Sequence, residues 1–502
     1  MEEEYTYEEY EETYEVEPPK KKSKLWIWIV VAVLAVALLA AAALLVLPKL
    51  TGGKSADDEW TLRNAYITSD KSVAYIILPG GESVKVKKDG IVRATITEDF
   101  KHIAVLLDDG TLYVTDKDLK AKQTIAEDAK GYSLGDTALI YHDKDGRYHR
   151  ASLDGKTVLD LPKETGNVYI TSGKGKLSMA FEGKNEGLYV LPDGAEEWQK
   201  IGSDLYSIRN VSNDGKVVVW TSVKSGKTTL YLTEGEDKFS LGDIGSNAYA
   251  YTLFSKDQKL TVVYVRVGDD FRIWIKPRGK DVQAVKFSNV TSYNSIVSNA
   301  GRIPETNASQ IKSLFVSVSG SGKSTLYRIS LNGEKEKLFS KDASIRYMAG
   351  NVAYRDDDNT LFVAKVSKDE LGEATKLSGD VAGFSIFGNG KYLYYIRDEV
   401  VYGYKFGAKE PIKIASGAED CYVSDNGQYA VVLKDGDKNT GYTLSLWKFG
   451  DKAPVKFATD ATIIRVEDSG GVYYRRVDGK TFDLMYYNGK ESKKIGTDLK
   501  VD

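Results

Sequence analysis

Ser212-Asn213-Asp214-Gly215-Lys216-Val217-Val218-Val219-Trp220 opens a unit that runs through Lys224-Ser225-Gly226-Lys227 into Thr229-Leu230-Tyr231-Leu232. Asn, Asp and Gly suit tight turns, while Val-rich and Leu-Tyr runs have the β-branched and aromatic content of strands. The stretch therefore reads as turn, strand, turn, strand. The same order returns in Ser424-Asp425-Asn426-Gly427-Gln428-Tyr429-Ala430-Val431-Val432, followed by Tyr442-Thr443-Leu444-Ser445-Leu446-Trp447. Related starts stand at Ser255-Lys256-Asp257-Gln258-Lys259, Gly388-Asn389-Gly390-Lys391 and Ser172-Gly173-Lys174-Gly175-Lys176.

On both sides of that unit, starts fall near residues 70, 98, 134, 173, 213, 256, 310, 348, 388, 425 and 469, mostly about forty residues apart. The second strand after each start often carries an aliphatic-aromatic pair: Leu112-Tyr113, Leu188-Tyr189, Leu230-Tyr231, Ile273-Trp274, Leu326-Tyr327, Leu361-Phe362 and Leu446-Trp447. No helical period of useful length is found after residue 60, so the class is all-β. Four strands in about forty residues is the spacing of propeller blades, and a sandwich array or a solenoid fits that period less well. About ten to eleven units exceed one ordinary wheel, so two β-propellers in tandem are expected, over 60–300 and 301–502. The junction is placed in the irregular stretch Ser288 to Gln310, with Asn289, Asn294, Asn299 and Pro304.

The Asp-Gly-Lys start, the apolar strand, the Ser-Gly-Lys turn and the Leu-Tyr strand resemble the repeats of TolB-type and other WD-like bacterial propellers, including those that precede prolyl oligopeptidase domains. The resemblance covers most of residues 60–502 and operates at the level of the repeat. It implies the fold, and a propeller face that holds a protein, peptide or glycan. It implies no reaction, and the hydrolase domain of the peptidase members is not read in this chain.

Upstream, Leu25 to Leu47 is uncharged and long enough, as a helix, to cross a hydrocarbon core of about 30 Å. Trp26 and Trp28 suit an interfacial belt, and Pro48 marks the far end. Lys20, Lys21, Lys22 and Lys24 precede the run, so the positive-inside rule keeps the N-terminus cytoplasmic and exports the chain beyond Pro48. A cleaved signal peptide has a shorter apolar core and places its small residues after it, whereas Ala40 to Ala43 lie inside this one. Residues 1–24 hold nine acids, four bases and Tyr5, Tyr7, Tyr10 and Tyr14, a composition expected to stay disordered. Phosphorylation of those tyrosines would make this tail a signalling element, and a solvated tail is the plainer reading. Residues 48–59 read as a linker to an extracytoplasmic domain.

Charge is nearly balanced, with 69 Lys and Arg against 72 Asp and Glu, and shows no basic stripe that would neutralise nucleic-acid phosphates. The expected partners are the membrane and an extracytoplasmic protein, peptide or cell-wall glycan. Cys421 is the single cysteine, so an intrachain disulfide is excluded and the thiol reads as a small buried apolar group.

Candidate chemistry fails on pattern. Gly320-Ser321-Gly322-Lys323-Ser324-Thr325 would need glycine at Ser317 to form a phosphate loop, and it lies between strands. His142 and His149 flank Asp145-Gly146; a two-residue turn there would set them opposite each other, but two imidazoles without a third ligand make a weak metal site. His102 is the remaining histidine. Asp356-Asp357-Asp358-Asn359 and Asp435-Gly436-Asp437-Lys438-Asn439 lack EF-hand spacing and read as polar turns. No catalytic, cofactor-binding or metal-ligating residue is assigned. A non-catalytic binding or sensing module leads; a surface glycan or peptide hydrolase or lyase, with clustered carboxylates in a propeller centre, is the alternative.

Overall fold

The computed structural model describes residues 62–500, apart from 163–164, 247, 295, 368–369 and 438–439. The acidic tail, the apolar run 25–47 and the linker 48–59 lie outside the described residues. Among those described, no helix is long and apolar enough to cross a membrane.

Ten antiparallel sheets succeed one another along the chain. The last has seven strands because Val455–Val466 is shared between two units, so the described sheets make eleven blades of the β-propeller type. Blades 1 to 6 cover residues 66–87, 91–126, 129–160, 168–202, 207–243 and 251–287; blades 7 to 11 cover 292–341, 343–378, 381–415, 420–466 and 455–500. Blade 1 has three strands where the repeat predicts four.

Each repeat start falls at the link between a blade's first and second strands. The polar residues there are a hydrogen-bonded device. The Ser212 hydroxyl donates to Asp214 Oδ1 at 2.7 Å and accepts the Val217 N–H at 2.9 Å, while Asp214 Oδ1 accepts the Lys216 N–H at 3.2 Å. Thr68 with Asp70, Thr97 with Asp99, Ser255 with Asp257 and Ser424 with Asn426 repeat the arrangement. Gly215 is required: its φ is +70°, and a Cβ there would lie 2.6 Å from Pro192 Cα.

The aliphatic-aromatic pairs sit on the third strand of their blades and explain why the fold needs neighbours. Successive strand residues point to opposite faces. The aliphatic member packs against the following blade and the aromatic against the preceding one. Leu230 joins the core between blades 5 and 6, Tyr231 that between 4 and 5; Leu446 joins the core between 10 and 11, Trp447 that between 9 and 10. Ile273-Trp274 and Leu326-Tyr327 obey the same rule. Trp220 and Trp447 are fully buried, their indole N–H groups donating to Thr233 Oγ1 and the Asp451 carbonyl, both at 2.9 Å.

Eleven apolar clusters result, one between each consecutive pair of blades and one between blade 11 and blade 1. The cluster holding Leu260, Phe271 and Val290 also holds Ile303, Leu314 and Ile329, so packing is continuous through residue 300. At the junction of the ends, Tyr75 and Ile77 meet Tyr473, Phe482, Leu484 and Tyr486. The Gly81 N–H donates to Tyr473 Oη at 2.8 Å, the Tyr473 hydroxyl donates to the Leu78 carbonyl at 2.6 Å, and the Gly80 N–H donates to Glu467 Oε1 at 3.1 Å.

Two outcomes are expected. Tyr473→Phe strands a buried amide and a carbonyl, so urea unfolding should show a loss of roughly 1–3 kcal/mol. In acid, the Thr68 hydroxyl and the Ser72 amide hold Asp70 down to about 2. Burial opposes ionisation of Asp214, but Arg278 and the Ser212 hydroxyl override it and leave its pKa lowered. Carboxylates depressed in the folded state stabilise it fully above their unfolded value of about 4, and that contribution is lost as pH falls through the folded value. The urea midpoint should therefore fall between about pH 4 and pH 2, and less steeply in Asp70→Asn.

Candidate functional site

Blade 7 departs from its neighbours. Its first strand is broken into Ser292–Tyr293 and Val297–Ser298, which pair with opposite ends of Ser313–Gly320. In the gap, the Asn294 N–H reaches the Ser317 carbonyl at 2.9 Å. The chain then makes two single helical turns, Ile303–Glu305 and Ala308–Gln310, before the second strand begins. The irregular sequence from Ser288 to Gln310 thus supplies the wall of a cavity.

That cavity, of about 550 Å³, lies against the first strands of blades 6, 7, 8 and 9. Tyr264, Phe315, Tyr347 and Phe387 line it, together with Arg302 and Arg346, and among the described residues no carboxylate does. Ser317 also lines it, is only 5 % exposed, and its hydroxyl has no hydrogen-bond partner among the described residues. Arg346 has no carboxylate partner among the described residues; its Nη1 lies 3.4 Å from the Ile345 carbonyl and its guanidinium 5.9 Å from the Phe384 ring centre. Arg302 pairs with Glu305 at 3.3 Å, but both side chains are more than half exposed, where water weakens the attraction. Burial, then neighbouring Tyr293 and Tyr251, pushes the Tyr264 hydroxyl up to about 12, and burial does the same to Tyr347. Both therefore stay neutral at physiological pH and present hydroxyls and ring faces.

An aromatic path leads away from the cavity. Tyr264 stacks on Tyr251 with ring centres 5.4 Å apart, and Tyr251 meets Tyr249 edge-on at 5.0 Å. Tyr251 is 47 % exposed and Tyr249 57 %. The Arg209 guanidinium of blade 5 lies 5.6 Å from the Tyr249 ring centre. Thr252, between Tyr251 and Leu253 of the cavity wall on the strand Tyr251–Phe254, has a buried hydroxyl without a partner among the described residues.

The residues singled out in the sequence lie elsewhere. His142 and His149 are not brought together. The Asp143 N–H bonds to the Arg147 carbonyl, so the turn has three residues, His142 pairs with Tyr148 and Tyr141 with His149. One extra residue in the turn puts the two imidazoles on opposite faces. His149 instead contacts Asp160 at 2.8 Å and Asp143 at 3.2 Å, stacked on Tyr141. His102 begins a strand of blade 2 with a buried, partnerless Nδ1. Gly320 and Lys323 pair across a hairpin turn between two strands, which presents no helix N-terminus to a phosphate. Asp356, Asp357 and Asp358 crowd in a turn where Asp356 Oδ1 accepts the Thr360 N–H. Lys438 and Asn439 of the other acidic loop lie outside the described residues. Cys421 packs among the apolar residues between blades 9 and 10, and burial pushes its thiol up to about 12.

Gly131-Tyr132-Ser133-Leu134-Gly135 matches the spacing of a nucleophile elbow. Ser133 lies within the strand Ala129–Leu134, paired with Ile140, rather than at a strand-to-helix turn, so the match carries no elbow geometry. The signal for the cavity was present as the longest gap between repeat starts. Nothing in the sequence showed that the gap lines a cavity.

No family model matches the sequence, and no curated protein does. Among solved structures, a eukaryotic initiation factor is similar over 80 % of this chain and 97 % of its own, with 9 % identity and a TM-score of 0.44. The tricorn protease aligns over 86 % of this chain at 13 % identity and a TM-score of 0.25, and a prolyl endopeptidase over 59 % at 12 % identity and 0.35. The chain spans about half the length of each of those two. The assignment to the β-propeller class rests on the sheets and their packing.

Ser317 offers a direct check on the cavity. A buried hydroxyl without a partner destabilises, so Ser317→Ala should leave stability unchanged or raise it by up to about 1 kcal/mol in urea unfolding. A loss of more than that would mean the hydroxyl is satisfied.

Proposed function

We propose that this protein is a membrane-anchored, extracytoplasmic propeller of the TolB-like kind that binds or senses a protein, peptide or cell-wall glycan without transforming it. The supporting observation is the cavity of blades 6 to 9, where arginines, aromatic rings and an orphan hydroxyl converge without a carboxylate. Such a lining recognises, whereas hydrolysis of a glycan needs a pair of carboxyl groups. The anchor reading rests on Leu25 to Leu47 and the lysines before it. The single packing circuit favours one wheel of eleven blades over the tandem pair.

Protease added to intact cells should digest the propeller while sparing residues 1–24; protection of the propeller would overturn the exported topology. Ser317→Trp fills the cavity. Membranes carrying the full-length variant should lose binding to envelope material while its urea midpoint stays within the range of other core variants. Undiminished binding would remove the cavity from the proposal.

A further inference from the structure

We infer that the inner wall of blades 5 to 9 binds an acidic saccharide, a sugar ring bearing a carboxylate or phosphate; the inference rests on the binding reading above. Three independent features converge on that chemistry.

The first is a continuous run of ring faces. Tyr249, Tyr251 and Tyr264 touch in sequence from the exposed surface to the cavity, and the two outer rings are about half exposed. The C–H faces of a sugar ring are apolar and lie flat on such rings, while its hydroxyls stay at the edge. The second is cationic. Arg209 and Arg346 have no carboxylate partner among the described residues, and Arg302 has only an exposed one. Guanidinium forks match the planar oxygens of a carboxylate or the face of a phosphate. The third is the pair of orphans. The hydroxyls of Ser317 and Thr252 are buried without partners, one in the cavity wall and one on the strand that carries Tyr251. A polyol in the cavity supplies a donor or acceptor to Ser317. An acidic peptide would meet the arginines, but its acidic side chains offer the rings no flat C–H face to stack on.

The test is calorimetric titration of the full-length chain at physiological salt with digalacturonate, its methyl ester, glucose 6-phosphate and a tetraglutamate peptide. Digalacturonate or the sugar phosphate should bind, whichever is tighter naming the acid, and the neutral ester should bind at least tenfold more weakly. Arg346→Gln and Tyr251→Ala should each weaken that binding about ten- to hundredfold, the loss expected for a charge-assisted hydrogen bond or a stacked ring, whereas the exposed Lys452→Gln should change nothing. Equal binding of acid and ester, binding indifferent to both variants, or binding of the peptide alone would overturn the saccharide. If no probe binds yet Ser317→Trp still abolishes envelope binding, this inference falls and the binding reading stands. If Ser317→Trp leaves envelope binding undiminished, the cavity leaves the binding reading and this inference falls with it, while binding elsewhere on the propeller stands.

Discussion

A blade of this protein has two apolar faces and no core of its own, so each sheet is stable only between two others. The aliphatic-aromatic pair on the third strand is that constraint in its smallest form: Leu230 faces forward and Tyr231 backward, and either would be left in water if its neighbour were missing. Burying such a side chain contributes about 1.5–3 kcal/mol, and the gain is repeated at every interface. A row of such units leaves two raw faces at its ends. Here Tyr75 and Ile77 of blade 1 cover Tyr473 and Leu484 of blade 11, and hydrogen bonds from Gly80 and Gly81 to Glu467 and Tyr473 fix the join. Gly81 permits that approach because a Cβ would lie 2.1 Å from the Tyr486 ring.

Once the ends are joined, irregularity can be tolerated locally. Blade 7 gives up a continuous first strand, yet its second and third strands remain paired along their whole length, and Leu314 and Ile329 stay in the core with blade 6. The break therefore costs edge hydrogen bonds and an unsatisfied Ser317 hydroxyl rather than an interface. It opens a recess of rings and guanidiniums facing inward. Regular blades use Ser, Asp and Gly to close their turns on themselves, as at Ser212; blade 7 replaces that closure with Pro304 and a pair of single helical turns. Packing between the blades is thus kept while one first strand is broken beside the cavity.

How much was legible differs between scaffold and site. The repeat starts and the aliphatic-aromatic pairs could be read because turn chemistry and strand alternation are local: Asp214 and Gly215 act within five residues of Ser212. His142 and His149 stand on opposite faces for an equally local reason, since the turn between them has three residues where two would have set them opposite each other. The cavity was illegible because its lining comes from strands of four blades, brought together only by packing. A gap in the repeat and a junction between wheels look the same in one dimension.

The all-β class, the forty-residue unit and the position of each turn were settled by the chain alone, because they depend on residues close together along it. Tertiary packing was needed to decide that the last blade sits on the first, and that Tyr264, Ser317 and Arg346 line one cavity. Both depend on apolar faces finding partners far away in sequence. Such burial carries no local signature, since any blade's exposed face would fit many neighbours until all the others have been placed.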